Sequence, residues 1–409
     1  MNRTGKFSVL VLALLGMGTA VSAQNNQSFK LNTYGFFDVR SYFDTRTSVG
    51  GADNYLYLYP LNIAKQIGTG IDANDRKSAS MFGATTRFGF NLTGPQVLGA
   101  ASRANVEFDI FNYSSTSFFL FRHCYVNLDW DGSSLIMGQT WHPMGKLIPG
   151  TGSIALGSPF NALNRSGQLR YDFKADDGLV LSAAAVFQSM SNSFGPKGKS
   201  YDYQRASMLP EMYAGLEWNG EKASFATGVL WQKICPVDTA STGKNQYVES
   251  IAGMAQATFK SGKFQAMAKT YLGENMSQLG FCTGYGKVAG STDEWAPLLA
   301  SVSWLYADYG ADFKLGCFAG YMKNLGADKE IDIAQTYISG GNIKTGINID
   351  RMFRLAPNVK YKSGNTTFTL EYDLTGVSYG NLKSDGMVSG GDWVENHRIL
   401  LAATYSFSL

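Results

Sequence analysis

The sequence predicts an all-β fold: a transmembrane antiparallel β-barrel of about 16 strands, 16 to 18 at the limits. Three observations predict it. Segments of about ten to fourteen residues alternate apolar and polar side chains. The breaks between those segments are by turns very short and long. The chain opens on an export signal.

Residues 1–23 carry Arg3 and Lys6, an apolar run from Phe7 to Ala20, and the small-residue ending Val21-Ser22-Ala23. That is the layout of a cleaved signal peptide, and the run is shorter than the roughly 18 residues that a spanning helix needs. The mature chain is expected to begin at Gln24, with residues 24–409 forming a single outer-membrane barrel domain. Only Gln24 to Gln27 precede the first strand, which leaves no room for a plug or an energy-coupling segment and points to passive diffusion. The formal charge of +3 falls to +1 once Arg3 and Lys6 are removed, so nucleic acid is not expected as a partner.

Composition agrees with long two-faced strands: 26 Phe, 22 Tyr and 46 Gly against only 10 Pro, with mean hydropathy −0.12. Cys124, Cys235, Cys282 and Cys317 are scattered without metal-site spacing, so no metal and no cofactor is expected. Cys235 and Cys282 both fall near loops and could bridge.

Each strand is read with one apolar face and one charged face. In "ANVEFDIF", Ala104, Val106, Phe108 and Ile110 oppose Asn105, Glu107 and Asp109. "QLRYDF" sets Leu169, Tyr171 and Phe173 against Gln168, Arg170 and Asp172. In "TTFTLEYDLT", Phe368, Leu370, Tyr372 and Leu374 oppose Thr369, Glu371 and Asp373. The last strand alternates from Ile399 to Leu409 in the same way. A secreted sandwich or propeller also alternates, but its strands average about five or six residues.

Short breaks such as "DGS" (131–133), "KADDG" (174–178), "NGE" (219–221), "SG" (261–262) and "SGN" (363–365) have hairpin-turn chemistry and are assigned to the periplasmic end. Long ones, 44–82, 142–166, 189–208, 273–297 and 324–348, are assigned to the outside. Trp130 and Trp218 precede short turns, while Trp141, Trp231 and Trp393 adjoin long loops, the two levels of an aromatic girdle. The count is seven short turns and eight long loops; "YLYLYPL" (55–61) fits either an extended first hairpin or an extra strand pair. A barrel of this size leaves an aqueous channel.

The stretch "GQTWHPMGKLIPGTGSIALGSPFNALNR" (138–165) contains no Asp or Glu and forms the third long loop, after the fifth strand. The motifs "RFGFNLTGP" (87–95), "ANVEFDIF" (104–111), "FRHCYVNLDW" (121–130) and "LIMGQTWHPMG" (135–145) resemble the DcaP-like family of outer-membrane porins. The likeness covers about a quarter of the chain. It implies a homotrimer in outer-membrane lipid, a third loop folded into the lumen, and passage of small, often anionic solutes such as dicarboxylates. The chain lacks the N-terminal helical segment of some members and ends "YSFSL" rather than on Phe.

Within that loop, Leu147, Ile148, Ile154, Leu156 and Phe160 are candidates to pack against the wall, and His142, Lys146 and Arg165 are its only basic groups. Candidate pore-lining cations are Arg87, Arg122, Arg170, Arg354 and Arg398, and candidate pore-lining acids are Glu107, Asp109, Glu371 and Asp373. Arg122 sits where both faces mix polar and apolar residues, so its direction is open. The expected function is a water-filled channel for small hydrophilic solutes, anions preferred. The alternatives are an outer-membrane barrel enzyme, a lipase or protease, and a surface adhesin or binding protein. An enzyme needs a paired histidine, and His123, His142 and His397 have no G-x-S-x-G near them, so no catalytic residue is assigned.

Overall fold

The computed structural model describes residues 29–51, 55–83, 85–113, 116–237 and 243–409. The expected signal peptide and its cleavage point lie outside the described residues. Sixteen strands form one closed antiparallel sheet: β1 Lys30–Asp44, β2 in two pieces (Ser78–Gly83, Thr86–Thr93), β3 Ala101–Tyr113, β4 Thr116–Trp130, β5 Ser133–Trp141, β6 Arg165–Lys174, β7 Leu179–Phe187 and β8 Glu211–Asn219. They continue as β9 Ala223–Val237, β10 Gln246–Ser261, β11 Phe264–Glu274, β12 Trp295–Gly310, β13 Phe313–Ala327, β14 Ile347–Ser363, β15 Thr366–Leu382 and β16 Val388–Ser408. β16 pairs with β1 from Tyr34↔Ser408 to Asp44↔Arg398, so no edge is left. Among the described residues no helix is long and apolar enough to cross a membrane.

The pleat sorts the side chains as the alternation predicts. Phe37, Val39, Leu169, Tyr171, Phe173, Phe368, Leu370, Ile399 and Leu401 are exposed on the outer wall, where lipid would cover them. Trp218 and Trp393 also stand exposed there. Two of the eight connections counted as long are short: residues 114–115, outside the described residues, join β3 to β4, and residues 383–387 join β15 to β16.

The inner face departs from the expectation of a uniformly charged lining. Along β10–β14 it is largely apolar: Met254, Tyr271, Val302, Trp304, Tyr306, Phe318, Met322 and Met352 form one buried cluster there. The third loop, L3 (142–164), covers that cluster, and its Phe160 is fully buried against Phe318, ring centroids 6.2 Å apart. Gly320 makes the contact possible, because a Cβ there would stand 2.5 Å from Phe160 Cγ. The barrel interior is therefore part core and part lining.

The ambiguous "YLYLYPL" stretch is neither an extension nor a spanning pair. In the first loop, L1 (45–77), Ser48–Gly51 pairs with Leu56–Pro60 as a separate small hairpin, and Tyr55, Tyr57 and Tyr59 are buried inside the barrel.

Candidate functional site

L3 is held by the strands it crosses, and the wall supplies the charges that the loop lacks. At its root His142 Nδ1 accepts from the Met144 N–H at 3.2 Å, which leaves Nε2 to donate to Glu211 at 3.1 Å. Midway, Tyr271 donates to the Met144 carbonyl and Trp304 Nε1 donates to Asn161 Oδ1 at 3.2 Å. At the tip, both oxygens of Glu371 accept backbone N–H groups, from Gly152 at 2.5 Å and Ser153 at 3.0 Å. Lys360 donates to the Gly150 carbonyl at 2.8 Å, and Arg40 donates to that of Gly152. An acid on the loop would compete with Glu371 for the same donors. The loop's lack of Asp and Glu thus suits a backbone read by wall carboxylates and cations.

Several residues expected to line water do not. Arg354, Arg398, Glu371 and Asp373 point inward but are 3%, 1%, 1% and 2% exposed, sealed beneath L1 and L3. Arg398 forms a bidentate pair with Asp44 at 2.8 and 2.6 Å, and Arg354 lies 3.1 Å from Asp373. His142 and Phe160 are likewise anchors with no exposed surface. Arg165 belongs to the first turn of pleat in β6 rather than to the loop, its guanidinium 4.0 Å from the Trp141 ring centroid.

The opposite arc, β2–β6, carries paired charges on its inner face: the Arg87 side chain is 21% exposed, and Glu107, Asp109, Arg122, Arg170 and Asp172 are 5–9% exposed. Arg87 pairs with Asp109 through two contacts, 2.7 and 3.1 Å. Arg122 bridges Glu107 at 2.6 Å and Asp109 at 3.1 Å, and lies 5.8 Å from the Trp141 ring. Arg170 pairs with Asp172 at 3.1 Å. Tyr34 donates to Glu107 at 3.0 Å. From the loop side, Lys146 is half-buried; burial, then Arg170 beside it, holds its ammonium below the ordinary lysine range. With Arg165 the cations of this region outnumber Glu107, Asp109 and Asp172 by two. Leu147, Ile148, Ile154 and Leu156 are half-buried along the loop's length.

A bulge settles the direction of Arg122. Glu107 faces His123, but Phe108 faces Phe121, so Arg122 is an extra residue in β4. Arg122 and His123 are consecutive and both buried inward, while Phe119 and Phe121 on one side and Val126 on the other stay exposed outward. His123 contacts Thr140 at 3.0 Å, and His397 meets Tyr372 at 2.6 Å on the outer face. Among the described residues no disulfide forms: the Cys235 thiol donates to the Val237 carbonyl at 3.0 Å, and Cys282 is buried. Burial pushes the Cys282 thiol up to about 11.

Sequence reasoning missed Arg40, Lys360, Asp44 and Glu211. Each lies on the polar face of its strand, yet its partner is a loop backbone or a residue far along the chain, which alternation does not reveal.

A closed sixteen-stranded barrel whose third loop crosses the lumen and is bound to the inner wall has the architecture of the porins. No protein-family model and no curated protein matches the sequence. Among solved structures, the chain is similar in fold to the outer membrane channel DcaP of Acinetobacter baumannii, with TM-score 0.67 and 16% identity over 93% of this chain and 98% of that one. It is also similar to the trimer form of OmpT, an outer membrane protein of Vibrio cholerae (TM-score 0.55, 11% identity, 93% and 100% covered). An anion-selective porin from Comamonas acidovorans matches with TM-score 0.52 and 12% identity over 93% and 100%.

Proposed function

We propose that this protein is an outer-membrane porin, a passive channel for small hydrophilic solutes that prefers anions such as carboxylates. The observation that carries the reading is the division of the interior. L3 seals the apolar arc, and the polar arc opposite keeps Arg87, Arg122, Arg170 and Lys146 in excess over its carboxylates. The signal at residues 1–23 directs export and is removed after Ala23. The similar structures named for a channel and for anion selectivity lend the reading support.

The working unit is a homotrimer. Its support is an aromatic strip on the outer wall of β16 and β1–β4: Phe37, Phe88, Phe407, Phe108 and Phe119 form a chain of rings with centroids 4.4 to 6.0 Å apart. Such a strip of packed rings offers a face for a second copy.

An enzyme is the less favoured reading, because His123, His142 and His397 contact a threonine, a glutamate and a tyrosine, not a serine nucleophile. The test is planar-bilayer recording of the purified protein in a KCl gradient. Steps in threes with a reversal potential of the anion-selective sign support the proposal. Absence of conductance overturns the channel, and cation selectivity overturns the assigned preference.

A further inference from the structure

The first loop returns into the barrel instead of standing over its mouth. Tyr57, at the centre of its hairpin, is fully buried, with the Arg398 guanidinium 4.3 Å and the Arg354 guanidinium 4.9 Å from its ring centroid. Tyr55 donates to Asp38 at 2.7 Å, and Tyr379 donates to the Pro60 carbonyl at 2.8 Å. The loop's root is fixed as well: Asn396 Oδ1 accepts the N–H groups of Thr45 and Arg46 at 3.0 and 2.9 Å. A surface loop does not need three buried tyrosines and a pair of arginines around one of them. These contacts hold L1 inside the bore.

Arg354 ties that loop to the other inward one. Its Nη2 donates to the Leu58 carbonyl of L1 at 2.5 Å and its Nη1 to the Ser158 carbonyl of L3 at 2.9 Å. Its Nε donates to Thr375 at 2.8 Å, and Thr375 in turn donates to Asp373 at 2.6 Å. One planar fork therefore spans L1, L3 and β15, a geometry that a point-charge ammonium cannot reproduce. Phe160 of L3 lies against the same guanidinium, 5.6 Å from its ring centroid.

We propose that L1 is a second constriction element of the channel and that Arg354 is the positioning residue that couples it to L3. The proposal rests on the porin reading above. Two loops together set the bore, and neither holds its place independently of the other. L1 narrows the β14–β16 side, which a barrel with an inward third loop alone would leave open to solutes.

The test is single-channel recording in planar bilayers with the full chain in four forms: wild type, residues 48–60 replaced by a short Gly-Ser linker, Arg354→Met, and both changes together. The linker form is expected to raise the conductance step about twofold, and Arg354→Met to raise it by less while adding brief closures. In the linker background Arg354→Met acts by a clearly smaller factor than in the whole protein, because half of what it couples is gone. Heat-modifiable migration on gels checks folding, and Tyr57→Ala carries the same prediction at smaller size should the linker form not assemble. Unchanged conductance on removing the hairpin overturns the constriction, and equal factors in the two backgrounds overturn the coupling. A wild-type protein without any conductance overturns the porin reading instead, so the two failures are distinguishable.

Discussion

Two arcs of one inner wall carry the same residue types to different ends. On β2–β6, Arg87, Arg122 and Arg170 meet Glu107, Asp109 and Asp172 on neighbouring strands or two residues along the same strand, and their side chains keep 21%, 8% and 10% exposure. On β14–β16, Arg354, Arg398, Glu371 and Asp373 are sealed under loops. The pleat decides whether a side chain points inward. The loops decide how much of that interior stays exposed. A charged residue facing inward is thus paired along the wall on one arc and clamps a loop on the other, and the two are expected to respond to substitution differently.

The sharpest way to break the comparison is to leave one sealed charge without its partner. Arg398→Met strands Asp44 in a buried site, and removing one member of such a pair costs about 3–5 kcal/mol. Urea unfolding of the protein in detergent micelles measures it; a loss below about 1 kcal/mol would show that the Asp44–Arg398 pair behaves as an exposed one. Glu371→Gln should cost less, about 1–3 kcal/mol, since the amide oxygen still accepts one of the two loop N–H groups. Its further sign is a noisier open channel as the L3 tip loosens.

On β2–β6 the expected pattern reverses. Arg87→Gln should cost less, roughly 1 kcal/mol, because Arg87 is the more exposed partner and Arg122 still pairs with Asp109. It should nevertheless move the reversal potential in a KCl gradient toward cations, and an unmoved potential would deny Arg87 a share in selectivity. The smallest effect concerns Lys146. Its lowered pKa means that the ammonium loses its proton earlier than an ordinary lysine as pH rises. Anion preference should therefore decline with rising pH below the usual lysine range, and Lys146→Gln should remove that part of the profile. Stability has the same sign: a charge disfavoured in the folded state costs stability at low pH, and the cost is relieved as pH rises through its folded pKa.

Much of this molecule was legible in its sequence. The alternation in "QLRYDF" and "TTFTLEYDLT" places Arg170, Glu371 and Asp373 inward, as found, and the short turns fall where the Gly, Asn and Asp runs put them. The site was legible only in direction. A period of two reports facing but carries no information on what lies over the face, so Arg354 and Arg398 read the same as Arg87. The inward hairpin of L1 eluded the reading because alternating Tyr and Leu in "YLYLYPL" is equally a strand pattern. The apolar arc was missed because residues such as Trp304 and Met322 look like lipid-facing groups until L3 is seen to cover them.

The bulge at Arg122 has a consequence for how β4 tolerates change. The strand consists of two stretches of opposite parity joined by one supernumerary residue. Excising that residue would restore strict alternation: Phe121 would directly precede His123, with Phe119, Phe121 and Val126 still toward lipid and His123 still inward. An insertion elsewhere in the strand that did not bulge would instead invert the facing of everything beyond it. Arg122 is therefore an added inward cation on which the strand's lipid face does not depend, and both its deletion and its substitution leave that face in place.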